Sequence, residues 1–355
     1  MDGVTNAANP PAASMAKGLL YPKQEYEMVT LEDVAVLAGV SRATVSRVVN
    51  GDTNVKSRTR EKVEQAVAVL GYTPNPAARA LASSQSNTLG LVTTSYRGGF
   101  FGALMDFVQT ETESQGKQLL VTQGRDNADK EWLAIQRLYN LRCDGLILHV
   151  RFLSDERLHQ LATAGRSFVL LDRMVPGLEA RCVTFDHRRA SQMATQVLID
   201  AGHRHIACIS GSSQRYSSVL RRQGFLDAMQ AAGLEPTACV EGVYDLESGY
   251  QRADEILKQP HLPTAIYCCN EEMAIGALLA INKHHLQVPQ DISLICYDSG
   301  ERAPFVSPAL TSLHFPIVGM AQFATQLLIN PQLPIASFPP AIIMRDSVMP
   351  PKQLR

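Results

Sequence analysis

Six basic side chains lie close together near the N-terminus of this 355-residue chain. They are Arg42, Arg47, Lys56, Arg58, Arg60 and Lys62. Between Val40 and Lys62 only Asp52 and Glu61 oppose them. Arginine pairs its guanidinium donors with guanine edges and with phosphates. A local positive surface attracts phosphates even though the whole chain has a net charge of −1. This stretch is therefore a candidate for nucleic-acid binding.

Helical spacing would hold these residues in place. Thr30 can cap a first helix, in which apolar residues recur from Leu31 to Ala38 until Gly39 ends it. Ser41 can cap a second helix after a short turn. At about 100° per residue, the second helix has an apolar arc of Val45, Val48 and Val49 and a polar arc of Arg42, Ala43, Ser46, Arg47 and Asn50. One arc can pack while the other stays free to bind.

A third helix is expected to begin near Ser57 and to run through Leu70 to Gly71, a residue favoured at helix ends. Three helices in this order predict a helix-turn-helix, whose second helix lies in the major groove of DNA. An amphipathic helix pair alone can mimic this pattern. The interpretation therefore depends on the agreement between the caps, the turn and the third helix.

A short helix is predicted after Tyr72. Asn75 can cap it, and Pro76 suits its first position. The stretch from Ala77 to Ala82 gives barely two turns, which is marginal for an isolated helix. We expect it to form only when DNA and a second subunit support it.

Residues 29 to about 349 resemble the LacI/GalR family of transcription repressors, most like its galactose and β-glucoside repressors. The motifs are VTLEDVAVLAGVSRATVSRVVN and YTPNPAARAL. The resemblance implies that Arg42 and Ala43 contact bases, with Arg47 and Asn50 beside them. It makes Leu81 the hinge-helix leucine that wedges into the minor groove. The expected DNA contacts are Thr30, Ser41, Arg42, Ala43, Thr44, Ser46, Arg47, Asn50, Asn54, Tyr72, Asn75, Ala78 and Leu81.

The rest of the chain is long enough for further domains. Residues 84–355 contain 24 basic and 26 acidic side chains, so the large part has no basic bias. No apolar run is long enough to span a membrane, and no signal peptide is recognisable, so we expect a cytoplasmic, nucleoid-associated protein. The expected organisation is a disordered leader at 1–28, a helix-turn-helix domain at 29–74, a hinge helix and linker at 75–87, an effector-binding and dimerisation domain at 88–349, and a tail at 350–355.

Beyond the linker, short apolar runs alternate with segments of helical period. The runs are Leu89–Thr93, Gln118–Thr122, Gly145–His149, Phe168–Asp172, Arg181–Phe185, His205–Ser210, Thr264–Cys268 and Ser293–Tyr297. Such alternation predicts parallel sheets covered by helices, in one sheet or two. The resemblance implies an α/β core like periplasmic sugar-binding proteins, with two doubly wound parallel-sheet subdomains, three crossovers and a ligand in the cleft. The N-subdomain would be about 88–185 and 316–349, and the C-subdomain about 186–315.

Polar residues end or follow four of these runs, where ligands of open parallel sheets collect. They are His149, Asp172, Asn270 and Asp298. Such groups could bind several hydroxyls, while aromatic neighbours cover the apolar face of a sugar ring. Each also has a structural alternative, because an aspartate after a strand can cap a turn and a lone histidine can satisfy a local hydrogen bond.

The resemblance adds ligand-contacting candidates and supports Asn270 and Asp298. The additions are Phe100, Phe101, Arg221 and Tyr244. As alternatives, the phenylalanines could belong to the core and Arg221 to a surface ion pair. Two positions depart from the family signatures, because Glu271 replaces the usual Asp and Cys296 replaces a Gly.

These observations predict a ligand-responsive repressor that binds a pseudo-palindromic operator as a homodimer. The effector is expected to be a sugar or glycoside. One segment, YDLESGYQRADEILKQPHLPTA, also resembles the purine repressor, where ligand is a corepressor. A sugar-binding transport protein is a rival, but it would lack the N-terminal helices. No nucleotide-binding, zinc-protease or nucleophile-elbow motif favours an enzyme. The seven cysteines lack metal-ligand spacing, so buried free thiols are expected, with no metal or cofactor.

Overall fold

The computed structural model describes residues 29–73, 86–297 and 300–352. Within them the chain forms two compact units, the first containing residues 29–73 and the second the remainder. The predicted leader and hinge helix lie outside the described residues. So do four of the predicted contact residues, which are Asn75, Ala78, Leu81 and Asp298.

The first unit consists of the three predicted helices. They are α1 (Leu31–Ala38), α2 (Arg42–Val49) and α3 (Ser57–Leu70). Gly39 and Gly71 end α1 and α3 in the left-handed conformation, at φ 64° and 62°, which glycine adopts without a Cβ penalty. Val34, Val45 and Val63, one from each helix, are fully buried together. The prediction of a three-helix arrangement is thus confirmed.

The second unit contains two sheets, so the choice left open by the sequence is settled. The first sheet is entirely parallel, in the order β2-β1-β3-β4-β5. Its strands are β1 (Thr88–Thr93), β2 (Gln118–Gln123), β3 (Gly145–Leu148), β4 (Phe168–Leu171) and β5 (Cys182–Val183). Leu91, Ile147 and Leu170 are fully buried in it, as expected for strands covered on both faces.

The second sheet has the order β11-β10-β9-β8-β6-β7, and β11 alone runs antiparallel to its neighbour. Its strands are β6 (Ile206–Ser210), β7 (Ala238–Glu241), β8 (Ala265–Cys268), β9 (Ser293–Tyr297), β10 (Thr311–His314) and β11 (Ala341–Ile343). All eight predicted strand positions are confirmed. The strands β7, β10 and β11 were not predicted, because they are short and either polar or partly exposed.

Helices cover both sheets. Those on the first sheet are α4 (Gly99–Ser114), α5 (Ala128–Asn140), α6 (Asp155–Thr163) and α11 (Ile317–Ile329). Those on the second are α7 (His187–Asp200), α8 (Tyr216–Ala231), α9 (Leu246–Leu257) and α10 (Glu271–Lys283). A 3-10 turn, Glu179–Arg181, precedes β5. No helix in the described part of the chain is long and apolar enough to cross a membrane.

The chain passes three times between the two sheets, as the family resemblance implied. The passages lie between β5 and α7, between β10 and α11, and between α11 and β11. One predicted boundary is wrong, because only part of 316–349 belongs to the first subdomain. Within this range, α11 packs on α4 and β4 of the first subdomain. In contrast, β11 pairs with β10 of the second sheet, and the backbone N–H of Leu294 in β9 donates to the carbonyl of Ser347. The chain therefore returns to the second subdomain before its end.

Candidate functional sites

The helix α2 presents one polar surface to solvent. Val45 and Val48 are buried, whereas Arg42, Ala43, Arg47 and Asn50 are exposed. The Ser41 hydroxyl caps the helix by accepting from the N–H of Thr44 at 3.2 Å. Because the cap and both valines fix this helix, its exposed residues form a defined convex surface. A surface of this kind fits the major groove.

The first helix is fixed by a reciprocal cap. The Thr30 hydroxyl accepts from the N–H of Asp33, and the Asp33 carboxylate accepts from the N–H of Thr30 at 2.8 Å. The bonds that the backbone N–H and the hydroxyl of Thr30 donate to this carboxylate hold the pKa of Asp33 below its ordinary value. On the same side, Arg42 lies 3.8 Å from Glu32, and both side chains are mostly exposed. Such a pair is weak and leaves the guanidinium available.

The remaining predicted DNA contacts of the first unit fall into two groups. Ser46 is half buried and accepts from the side-chain amide of Asn50 at 3.3 Å, while Asn54 is exposed. These two remain compatible with the predicted surface. Tyr72 does not, because it is only 8% exposed and packs in the core of the three helices. Its predicted place on the DNA surface is corrected to a core position.

A cleft of about 300 Å³ lies in the second unit at the carboxyl ends of its strands. This volume is at the lower end of the roughly 300–1,000 Å³ range of small-molecule sites. Five predicted ligand contacts line it: Phe100, Phe101, Arg221, Tyr244 and Asn270. They come from both subdomains, so a bound molecule would touch both.

Arg221 is the central cation of the cleft. Its Nη1 donates to the carbonyl of Cys269 at 2.8 Å, and its Nε donates to Nδ1 of His187 at 3.3 Å. Its guanidinium lies 3.7 Å from the ring centroid of Tyr297, a cation–π distance. These contacts hold a buried charge in a fixed orientation.

Tyr244 and Asn270 support each other. Tyr244 has φ 70°, an uncommon conformation for a residue with a Cβ. The Asn270 amide donates to the Tyr244 carbonyl at 3.1 Å, while its oxygen accepts from the N–H of Met273 and caps α10. The Tyr244 ring lies against Gly211, where a Cβ, if one were present, would come within 2.1 Å of it. The ring position therefore depends on that glycine.

The other side of the cleft is aromatic and aliphatic. Phe100 and Phe101 pack edge to face with centroids 5.1 Å apart, and Phe315 lies 5.8 Å from Phe100. Ile317 and Val318 continue this wall. The cleft thus has a polar side and an apolar side.

Two predicted ligand contacts do not line the cleft. His149 is 1% exposed and lies behind Phe100 and Phe101, with ring centroids 5.6 and 5.9 Å away. The Asp172 side chain is 3% exposed and bonds to His187 at 2.7 Å. Asp172 has φ 60°, so the chain turns at the strand end and directs the carboxylate below the cleft floor. Both residues support the site without reaching it.

Three polar residues of the cleft, Arg151, Arg215 and Ser217, were not predicted from the sequence. Arg151 donates through Nη1 to the Ser217 hydroxyl at 2.7 Å, and Arg215 donates through Nη2 to Asp126 at 2.6 Å. Each of these bonds joins the two subdomains, as does that between Asp172 and His187. Arg151 lies three residues beyond β3, so the rule that favours residues directly at strand ends does not find it.

A buried glutamate fixes the loop that carries Arg151. Glu131 is fully buried on α5 and accepts backbone N–H groups from Arg151, Phe152 and Leu153 at 2.9, 3.0 and 2.7 Å. Its charge is thereby satisfied without a cation. Gly124 makes room for it, because a Cβ there would lie 2.3 Å from Cγ of Glu131.

The buried polar groups below the cleft have defined charge states. Burial would raise the pKa of Asp172, but His187 and Arg151 outweigh it and the pKa lies below its ordinary value. Burial lowers the pKa of His187, and burial together with Arg151 lowers the pKa of His149 to about 3. At neutral pH the aspartate is therefore ionised and both imidazoles are neutral.

The two departures from the family signatures are accommodated. Burial raises the pKa of Glu271, whose carboxylate accepts from the N–H of Ala303 and closes the loop beside α10. Cys296 is fully buried within β9 and pairs in register with Cys268. The strand therefore stays regular up to Tyr297.

Comparison with known proteins gives a match in each of the two units. Residues 30–75 match the family of bacterial regulatory proteins of the lacI type, and residues 195–348 match a periplasmic binding protein-like domain. The transcriptional regulator GalS of Salmonella typhimurium is 36% identical over 329 residues, which cover 90% of this chain and 97% of GalS.

Solved structures show the same fold. The Lac repressor dimer bound to operator and the anti-inducer ONPF is 30% identical with a TM-score of 0.84, covering 90% of this chain and 99% of the repressor. The CelR–cellobiose complex is 29% identical with a TM-score of 0.66, covering 90% of this chain and 100% of CelR. With its helix-turn-helix unit and two-subdomain core, the chain belongs to the lacI family of bacterial regulatory proteins.

Proposed function

We propose that the protein is a cytoplasmic, non-enzymatic repressor that binds a pseudo-palindromic operator as a homodimer and releases it when a sugar or glycoside binds the cleft. The observation that carries this proposal is the two-sided cleft in a chain that also has an exposed recognition helix. The polar side offers guanidinium and amide donors, and the apolar side offers aromatic faces. Sugars present hydroxyls and an apolar face in the same molecule.

The charges of the cleft favour a neutral ligand. Arg215 is paired with Asp126 at 2.6 Å, and Arg151 lies 3.9 Å from Asp172. The acidic Glu272 is paired with Arg302 at 2.9 Å. Three of the seven charged side chains that line the cleft therefore already have partners of opposite charge. A polyol can exchange hydrogen bonds with such groups without adding charge, and CelR, a solved relative, binds cellobiose.

Effector binding would act through the bonds that join the subdomains. Three bonds each connect one subdomain to the other: Arg151–Ser217, Asp126–Arg215 and, below the cleft floor, Asp172–His187. A ligand that contacts Arg151, Arg215 or Arg221 must compete with or rearrange these bonds. The resulting change in subdomain angle would alter the spacing of the two hinge helices in a dimer. The coupling is reciprocal, so operator binding must change effector affinity by the same factor.

Two other functions make different predictions. A purine corepressor would stack on the same aromatic wall, but it would strengthen operator binding. A transport protein would bind the sugar without binding DNA. The exposed surface of Arg42, Arg47 and Asn50 has no purpose in a transport protein.

Selection of DNA from a random pool, repeated with sugars, glycosides and purines, tests the proposal. We expect a pseudo-palindromic site without ligand and loss of binding with one sugar that also raises the melting temperature. Arg221→Lys should lose the sugar response, whereas Arg222→Lys, at the exposed neighbouring position, should keep it. Stabilisation by guanine or hypoxanthine alone, with stronger DNA binding, would replace the sugar proposal by the corepressor one.

A further inference from the structure

Three thiols lie together on one face of the second sheet. Cys208 on β6 and Cys239 on β7 are register partners. Side chains of register partners in adjacent parallel strands point to the same face. Cys269, just after β8, also lies within hydrogen-bonding distance of Cys208. Because β7 is the last strand of the sheet, this group reaches from the core to the edge.

The two partners have different environments. Cys208 is fully buried, whereas Cys239 is only half buried. The Cys208 thiol and the guanidinium of Arg222 on α8 both lie beside the sulfur of Cys239. These two contacts outweigh burial and lower the pKa of Cys239 to about 6. Cys239 is therefore a thiolate near neutral pH, and thiolates are the nucleophilic form of cysteine.

We propose that Cys208 and Cys239 are a peroxide-reactive thiol pair that forms a reversible disulfide across β6 and β7. Neighbouring strands lie about 4.7–4.9 Å apart, within the Cα separation of about 4.4–6.8 Å that disulfides span. The register of the two strands therefore places the Cα atoms of this pair at a separation that a disulfide can span.

The reaction is a two-step oxidation with hydrogen peroxide as the oxidant. The Cys239 thiolate attacks one peroxide oxygen, the O–O bond breaks, and hydroxide leaves with the electron pair, giving a sulfenic acid at Cys239. Burial raises the pKa of the Cys208 thiol well above its ordinary value, so this thiol loses its proton as its sulfur attacks the sulfenic sulfur of Cys239. The S–O bond breaks and water leaves with the released proton. In sum, two thiols and one peroxide give one disulfide and two waters.

A second cross-strand pair in the same sheet provides an internal comparison. Cys268 on β8 and Cys296 on β9 are also register partners, but both are fully buried. The pKa of Cys268 is raised well above its ordinary value, mainly by burial and to a lesser extent by the neighbouring Cys269. This pair has comparable spacing, but both of its thiols are buried away from solvent, and the Cys268 thiol is held in its protonated form. It should therefore stay reduced while the first pair reacts.

The pair lies beneath the helix that holds the cleft arginine. Arg222, beside Cys239, follows Arg221 on α8, and Nη1 of Arg221 donates to the carbonyl of Cys269. Oxidation at this position therefore occurs next to the backbone that orients the central cation of the cleft. The proposal itself does not depend on the identity of the effector.

The test is peptide mapping of the reduced full-length protein after a short exposure to hydrogen peroxide. Remaining thiols are alkylated in denaturant before digestion. We expect a peptide pair joined through Cys208 and Cys239, reversed by dithiothreitol, with Cys268 and Cys296 alkylated. Cys239→Ser should abolish the linkage and Cys208→Ser should leave a sulfenic acid at Cys239 that dimedone traps. Cys143→Ser, in the first subdomain, should change neither.

A measurement on the unmodified sequence keeps the test independent of variant folding. The rate of Cys239 alkylation in the native protein should follow a titration with its midpoint near the value of about 6 given above. A midpoint at the ordinary thiol value of about 8.5, together with no Cys208–Cys239 linkage, would overturn the proposal. Linkage only between Cys268 and Cys296, or irreversible oxidation of Cys239 alone, would also overturn it.

Discussion

Nε2 of His187 and Oδ1 of Asp172 lie 2.7 Å apart across the boundary between the two subdomains. Asp172 follows the first-sheet strand β4, and His187 begins α7 on the second sheet. On the other side of the ring, Nδ1 contacts the Tyr297 hydroxyl and Nε of Arg221. Because Nε of Arg221 can only donate, Nδ1 is the acceptor and Nε2 carries the proton. A continuous chain of bonds therefore runs from Asp172 to the cleft arginine.

Asp172→Asn should destabilise the second unit strongly. The amide keeps the size of the side chain, and asparagine tolerates the observed φ of 60°. The change removes the anion that faces Arg151 and His187, and loss of one partner of a buried pair costs about 3–5 kcal/mol. Urea unfolding measures this loss. As the control, Asp155→Asn breaks a partly exposed pair with Arg173 and should lower the free energy of unfolding by less than about 1 kcal/mol. Equal losses in the two variants would contradict the role given to the buried Asp172.

The buried imidazoles predict a loss of stability in mild acid. The pKa of His149 falls from 6.5 to about 3 on folding, so between these pH values the unfolded chain binds a proton that the folded chain does not. The free energy of unfolding must therefore decrease as pH falls below 6.5. At about 1.4 kcal/mol per pH unit, His149 alone lowers the free energy of unfolding by on the order of 2 kcal/mol at pH 5. His187 and His203 have lowered pKa values and act in the same direction.

Melting temperatures at pH 7 and pH 5 check the assignment. His149→Gln keeps an acceptor for Arg151 and removes the titrating ring, so this variant should lose less stability between the two pH values than the unmodified protein. His159→Gln changes an exposed ring on α6 and should reproduce the unmodified slope. If His149→Gln has that slope as well, another group is responsible.

The first unit was predictable because its determinants are local. The caps Thr30 and Ser41 bond to residues three positions away, and Gly39 ends α1 directly. Alternation of apolar runs likewise located eight strands. In contrast, the edge strand β7 was missed because its pattern is half exposed. Nothing in its four residues separates it from a loop.

The floor of the cleft was less predictable because its geometry depends on distant partners. Asp172 ends a strand as expected, yet its left-handed backbone directs it to His187 instead of the cleft. Arg151 reaches the cleft because Glu131, twenty residues earlier, binds the backbone of its loop. No spacing rule connects those two positions. Of the residues that line the cleft, Asn270 was predicted from its position after a strand, whereas Arg221 and Tyr244 were found only through the family resemblance.

Glu131→Gln should weaken both the fold and the cleft. A glutamine presents an amide N–H₂ to backbone N–H groups that need acceptors, so at least one of three bonds is lost in a fully buried place. Leaving buried donors unsatisfied costs about 1–3 kcal/mol each. Chemical unfolding should show a loss of about 3 kcal/mol, and the loop carrying Arg151 should exchange its amide hydrogens faster. Asp129→Asn, at an exposed position on the same helix, is the control. If the amides of Phe152 and Leu153 exchange no faster in Glu131→Gln than in the unmodified protein, the role given to Glu131 is refuted.

Arg42→Ala should weaken operator binding without affecting stability. The side chain is exposed and its contact with Glu32 is weak, so the fold loses little. A lost bidentate base contact costs about 1–3 kcal/mol and relaxes selectivity at one base position. Binding to the selected operator and to single-base variants measures both effects. Arg137→Ala, in the second unit, should leave DNA binding unchanged, and a uniform loss over all sequences would make Arg42 a phosphate contact.

Gly211→Ala should act on the cleft through Tyr244. An added Cβ at Gly211 would meet the Tyr244 ring at 2.1 Å, whereas a Cβ at Gly102 on α4 would meet nothing within 4 Å. We expect Gly211→Ala to displace the ring and lower affinity about tenfold, or roughly 1.4 kcal/mol, for the sugar that most stabilises the unmodified protein. Gly102→Ala should leave affinity unchanged and stabilise α4 slightly. Calorimetric titration of each variant gives the affinities.

A double-mutant cycle separates this ring effect from general overpacking. In Tyr244→Ala the ring is already absent, so adding Gly211→Ala should cost no further affinity. Residues that act through one contact show such non-additivity, whereas independent sites add. If the two losses add fully, Gly211 acts on the cleft through something other than Tyr244. The three atoms nearest to an alanine Cβ at this position, at 2.1, 2.2 and 2.4 Å, all belong to Tyr244. If the double variant is more stable than Gly211→Ala alone, the clash is therefore with the tyrosine ring.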